Sequence, residues 1–258
     1  MNKFLWLGVA AVMAVTQTAG ESRGEEGKQL YEVRQYSLSE NQDAAALDTF
    51  LSETLGPALK RAGVASVGLL APADGAESSD RFVVITYESA GQVAEIAKQL
   101  DNDQQYQSEL GTFETGGAQS PPYSRASSEL LLAMDAMPQA KMPESIGTVE
   151  SRVYELRVYE SATEVLGDLK VEMFNSGEVP IFLDSKIEPV FLGQALVSRY
   201  APSLTYLTAY ADDEARQKAW DAFRSHPDWK VLSGKARYKG TVSKIHKFLL
   251  KSLPGSDM

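Results

Sequence analysis

Residues 154–159 read YELRVY, and residues 31–36 read YEVRQY. Both alternate in the period-two manner of a strand whose faces meet different surroundings. Glu, Arg and the second Tyr return in each: Glu32, Arg34 and Tyr36, then Glu155, Arg157 and Tyr159. The two stretches lie 123 residues apart, and the same offset relates Pro57 to Pro180, Val67 to Val190, Leu69 to Leu192, Tyr87 to Tyr210 and Tyr106 to Trp229. One offset held across so many positions points to a duplicated unit.

Each copy reads element by element. In the first, Leu30 to Tyr36 alternates as a strand, and Ala44 to Arg61 has helical periodicity with a kink or break expected at Pro57. Strands follow at Val64 to Leu70 and Arg81 to Tyr87, separated by a turn rich in Pro, Gly, Ser and Asp. Helical segments at Ala90 to Leu100 and Gln104 to Leu110, a loop at Gly116 to Pro122, and a strand at Ser128 to Met134 complete it. The second copy repeats this with Arg152 to Tyr159, Leu166 to Leu183, Val190 to Ser198, Thr205 to Tyr210, Asp213 to Phe223, Pro227 to Leu232 and Lys244 to Leu250. The expected fold class is α+β: two tandem ferredoxin-like (βαββαβ) domains, at 28–136 and 150–254, joined by a linker at 137–149 that holds two prolines and a glycine.

Such a sheet carries helices on one face, so its other face needs cover. Packing the two bare faces together within the chain forms a barrel with helices outside. In that arrangement Tyr154, Leu156 and Val158 are expected on the helix side, with Glu155, Arg157 and Tyr159 between the two sheets, matched there by Glu32, Arg34 and Tyr36.

The remaining bounds come from composition. A chain of 258 residues, 43% hydrophobic and 23% charged, can bury a substantial core. Lys3, the apolar run Phe4 to Val15 and the small residues up to Gly20 have the form of a secretory signal over residues 1–20, too short to span a bilayer convincingly. The protein is therefore expected in the periplasm or outside the cell, without stable membrane insertion after cleavage. There is no cysteine, which leaves no disulfides and no thiolate metal site. A net charge of -10 argues against nucleic acid or anionic lipid as partner.

The E-L-R-x-Y strand, the stretch LTYLTAY ending in Tyr210, and ARQKAWDAFRSHPDWK from Ala215 to Lys230 together resemble the NIPSNAP family. The second copy carries the full pattern. The first keeps YEVRQY and the helix but has Asp103 and Tyr106 where His226 and Trp229 stand. The resemblance implies a dimeric α/β barrel fold, formed here within one chain as a monomeric pseudo-dimer with scope to self-associate. The superfamily includes cofactor-free monooxygenases and some haem enzymes, so the resemblance implies a fold more firmly than a reaction.

Candidate site residues follow from the strand motif. A Glu-x-Arg pair places a carboxylate beside a guanidinium, whose fork of donors can hold an anionic or carbonyl-bearing ligand, with Tyr36 or Tyr159 adjacent. Alternatively the pair neutralises itself and fixes how the copies dock. Within SHPDW, Ser225, Pro227 and Asp228 suit a helix start, which gives His226 a structural setting. His246 alternates onto the face of Lys244 and Phe248, where it could bind haem iron or act as a base, although no supporting motif accompanies it. No phosphate loop, metal-ligand spacing or nucleophile triad appears, and no cofactor is expected.

Two functions from different classes fit this reading. One is a secreted module that binds a partner or small ligand; the other is an oxygenase-like or lyase-like enzyme acting on a small substrate between the sheets. Cleavage is expected after Gly20, so amino-terminal sequencing of exported protein should begin at Glu21. An intact Met1 would overturn the signal assignment.

Overall fold

The computed structural model describes residues 27–115, 121–143, 146–148 and 151–258. The expected signal at 1–20 lies outside the described residues, as does most of the loop at 116–122. The strands are β1 (Leu30–Ser37), β2 (Val67–Pro72), β3 (Arg81–Tyr87), β4 (Arg125–Ala133), β5 (Val153–Glu160), β6 (Glu188–Val197), β7 (Ser203–Tyr210) and β8 (Lys244–Ser252). The helices are α1 (Ala44–Thr49), α2 (Gly56–Arg61), α3 (Ala90–Asn102), α4 (Gln104–Thr115), α5 (Glu164–Met173), α6 (Val179–Asp184), α7 (Asp213–Ser225) and α8 (Pro227–Gly234). The fold is mixed α/β around a closed antiparallel barrel of eight strands in the order β1-β3-β2-β8-β5-β7-β6-β4.

Each half contributes its strands in the spatial order fourth, first, third, second. Two seams close the ring, and each pairs the second strand of one half with the fourth of the other. Leu70 to Pro72 of β2 meet Leu250 to Ser252 of β8, while Leu130 to Ala133 of β4 meet Gly193 to Val197 of β6 across a bulge. With no strand edge left open among these eight, backbone donors and acceptors find partners around the ring.

The prolines behave alike in the two halves. Pro57 and Pro180 do not end their helices; each sits in the first turn of a following helical segment, α2 and α6. A wider π-type turn precedes each, at Phe50–Leu55 and Phe174–Glu178. Looping out a residue accommodates the missing proline N–H while the helix axis continues.

The structure reverses the expected orientation of the strand faces. Tyr154, Leu156, Tyr31 and Val33 point into the barrel with Phe82, Val84, Leu131, Phe191, Leu207 and Leu250. Glu155, Arg157 and Tyr159, with Glu32, Arg34 and Tyr36, lie instead on the outer face beneath the helices, where Glu155 is bonded by α7 and Tyr159 packs on Phe174. The physical reason is width. Eight strands enclose just enough room for a filling of side chains, so charged pairs placed there would lose water without space for partners. This filling also removes the space between the sheets as the location of a substrate.

Close approach at the β4–β6 seam requires a glycine. A Cβ on Gly193 would stand 2.7 Å from Leu131 Cβ and 3.4 Å from a ring carbon of Tyr31. Gly193→Ala is expected to cost about 1–3 kcal/mol through overpacking, as read from denaturant unfolding. An unchanged midpoint would show that the seam relaxes freely.

Candidate functional site

The sequence-predicted residues fall into three places and not one. In the first half Glu32 accepts from Arg34 Nε at 2.6 Å, Tyr87 Oη at 2.7 Å and Ser128 Oγ at 2.9 Å. Tyr36 is buried and packs edge-on against Tyr123, with ring centroids 5.2 Å apart. Burial works against the Glu32 charge, but the bonds from Arg34, Tyr87 and Ser128 outweigh it and hold the carboxyl below its ordinary value. This cluster is internally satisfied and reads as structural.

His246 lies at one mouth of the barrel, on the face of Phe248 as the alternation indicated; Phe248 packs on Phe82 with centroids 4.7 Å apart. Its Nε2 bonds Glu160, and its ring packs at a tilt against Tyr200, with centroids 4.4 Å apart. Nearby, Thr205 donates to Glu129 at 3.0 Å, and Arg199 donates to Gln35 at 2.6 Å. Burial pushes the Glu129 carboxyl up. His226 caps α8 with its own ring, Nδ1 accepting from Asp228 N–H at 3.2 Å. Ser225, expected as that cap, instead donates back to the carbonyls of Asp221 and Ala222. Asp103, at the equivalent place in the first half, accepts from Tyr106 N–H at 3.0 Å, so the two halves start their second short helix with different caps at one position.

The third place is the outer face of β5. Helix α7 begins with Asp212 accepting from Ala215 N–H at 2.7 Å, and carries Arg216, Trp220 and Phe223 at helical spacing on the side toward the sheet. Glu155, with its side chain 3% exposed, gathers three donors: Arg157 Nε at 2.6 Å, Arg216 at 3.0 Å and Trp220 Nε1 at 2.9 Å. The Arg157 guanidinium lies over Trp220, its Cζ 3.6 Å from the ring centroid, and donates to Tyr159 Oη at 3.2 Å. Burial opposes its charge, but Tyr206, Tyr159 and Glu155 raise its pKa and keep it a cation.

The Arg157–Trp220 stack stands between two cavities. One, of about 430 Å³, is lined by Glu155, Arg216, Arg224 and Lys247, with Gly75 to Glu77 from the first half. The other, of about 310 Å³, runs between β5, α5, α7 and α8 and is walled by Trp220, Phe223, Trp229 and Tyr238. At its floor Lys170 Nζ bonds Glu178 at 2.6 Å, with side chains 5% and 2% exposed. The ammonium also faces the rings of Phe174 at 4.7 Å, Tyr159 at 5.5 Å and Trp229 at 5.6 Å. Tyr206 donates to Tyr159 at 2.8 Å, linking this floor to Arg157.

Sequence reasoning missed Lys170, Glu178, Arg216 and Trp220. Arg216 and Trp220 carried a signal in their four-residue spacing. Lys170 and Glu178 carried a clearer one, since the offset of 123 places them on Leu47 and Leu55, both fully buried in the first half's core. Among the described residues no cluster of His, Cys, Asp or Glu has the form of a metal site, and no helix is long and apolar enough to cross a membrane.

Residues 154–257 match the NIPSNAP family model. The match covers the second half of the chain, which is in this respect similar to NIPSNAP domains. No curated protein matches the chain by sequence. Among solved structures it is similar to a suspected monooxygenase from Fusobacterium nucleatum, at 12% identity and a TM-score of 0.56, covering 88% of this chain and 93% of that one. A suspected monooxygenase from Lactobacillus acidophilus matches at 12% identity and a TM-score of 0.53, covering 87% and 94%. An anthrone oxidase-like protein matches at 14% identity and 0.54, covering 88% and 92%. At these identities the likeness is one of fold.

Glu32 gives the pH test of the first-half cluster. A carboxyl held below 4.5 in the folded state contributes stability that is fully present above that value and is lost as pH falls through the lower folded value. Glu32→Gln should therefore cost about 1–3 kcal/mol near neutral pH, with the gap to wild type closing as unfolding is measured at pH below about 4. A gap independent of pH would contradict the assignment.

Proposed function

We propose that the NIPSNAP half binds a small organic ligand on the outer face of β5, and that Arg157 is its anchor. The single observation that carries this reading is the Arg157–Trp220 stack between the two cavities. Arg157 uses Nε and one N–H of each terminal nitrogen on Glu155 and Tyr159, which leaves an N–H on each of those nitrogens for an oxygen of the ligand. Concave shape, aromatic walls and a few convergent polar groups are the usual features of a small-molecule site.

In this reading the chain is a tandem pair of ferredoxin-like domains, a pseudo-dimer in which the first half completes the barrel and the second holds the site. It acts after export, in the periplasm or outside the cell. An oxygenase-like or lyase-like enzyme is the second reading, with its site moved out of the barrel to the same cavity. The buried Lys170–Glu178 pair beside the Tyr206–Tyr159 contact favours it, because such groups can move a proton. The suspected monooxygenases of like fold support it by analogy of fold.

The test is native mass spectrometry of the purified protein, followed by binding measurements on whatever small molecule it retains. Arg157→Ala should weaken binding about 10- to 100-fold, the loss of a hydrogen bond to a charged donor. Arg34→Ala, its counterpart in the first half, should leave affinity unchanged. Equal effects of the two substitutions, or none from Arg157→Ala, would remove Arg157 from the site.

A further inference from the structure

Lys170 and Glu178 are a charged pair where the first half has two leucines, Leu47 and Leu55, in the same π-turn helix. Removing two charges from water costs several kcal/mol per ion before their attraction is counted, and apolar replacements of buried pairs are often neutral or stabilising. The first half shows that this fold accepts the apolar solution. Packing alone therefore gives no reason for the ions, and both line the cavity beside Arg157.

The surroundings restrict what they can meet. Lys170 Nζ is held by Glu178 at 2.6 Å and more loosely by Met173 Sδ at 3.6 Å, with aromatic faces on the other sides. The charged and titratable groups around Glu178 are Lys170, Arg157, Tyr159 and Tyr206, and Arg157 is already paired with Glu155. At this floor positive and negative charges balance. A ligand entering as an anion would add an uncompensated negative charge beside ions that are almost wholly buried. A neutral acid adds none.

We propose that the ligand is a planar aromatic acid of the phenol or enol class, which enters neutral, passes its proton to Glu178 and is held as the oxyanion by Lys170. This rests on the cavity being the ligand site. The ligand O–H bond breaks, its electron pair stays on the ligand oxygen, and the proton forms the new O–H bond on the Glu178 carboxylate. The ammonium exchanges one anionic partner for another, so net charge in the cavity is the same before and after. Trp220, Phe223, Trp229 and Tyr238 supply stacking faces for the ring. Burial raises the proton affinity of Glu178, in the direction that the transfer requires.

The probe is 4-nitrophenol, whose anion alone absorbs in the visible, titrated into the full chain at a pH below the probe's own pKa. Binding to wild type should develop the visible band of the anion, in competition with any retained ligand. Glu178→Gln should reduce that band at least tenfold. The double variant Lys170→Leu with Glu178→Leu, which copies the first half, should melt at or above the wild-type temperature and abolish the band. Binding without the visible band, or an unchanged band in the folded double variant, would overturn the proton transfer and leave the pair a structural element. Failure of the probe to bind at millimolar concentration would overturn the ligand class. Neither result would touch the role of Arg157, which the retained molecule tests separately.

Discussion

Closure of an eight-stranded barrel is the constraint on which the rest depends. A ring of this size has room inside for side chains and little else. The inward rows are therefore apolar, and Tyr31, Phe82, Tyr154 and Phe191 fill the centre. Charges on the same strands must then be satisfied outside, under the helices, or at the barrel mouth where Gln35, Glu129, Arg199 and His246 gather. The helices do more than cover hydrophobic surface: α7 reaches down with Arg216 and Trp220 to complete the bonding of Glu155. What looks like a ligand constellation on a strand is thus first an answer to where polar atoms can be placed.

Much of the architecture was legible from the repeat. The offset of 123, with alternating strands and helical periodicity in each half, indicated the eight strands and the main helical segments in their order, with ends displaced by a few residues, but not the π-type turns or the short helix at Ala236–Tyr238. Orientation was not legible, and the reason is specific. In YELRVY both alternating rows can be buried, one by tyrosine and aliphatic residues and the other by Glu, Arg and Tyr with helix partners. Period-two alternation separates the faces without saying which one meets the helices. The candidate site was legible only where it lay on the strand. Arg157 and Tyr159 belong to it, whereas Lys170 and Glu178 come from the helix at positions that the sister half fills with leucine.

The two halves amount to a comparison of solutions to one packing problem. Glu32 and Glu155 occupy matching positions and each binds the arginine two residues on, yet Glu32 finishes its bonding with Tyr87 and Ser128, and Glu155 with the helix side chains Arg216 and Trp220. The first arrangement is closed by hydroxyl groups on the two flanking strands. The second brings a flat aromatic surface and a guanidinium together beside open volume. The buried ion pair extends the same divergence: one half fills its helix face with Leu47 and Leu55, the other with Lys170 and Glu178.

The seams carry a further consequence. Because β2 meets β8 and β4 meets β6, each half supplies both borders against which the other is completed. In a barrel assembled from two identical chains, any change that opened a cavity in one subunit would open it in both, and the destabilisation would be counted twice. Covalent joining breaks that coupling. One half can stay closed by apolar packing while the other accumulates costly polar groups, so a ligand site of the kind proposed would occur once per barrel and not twice.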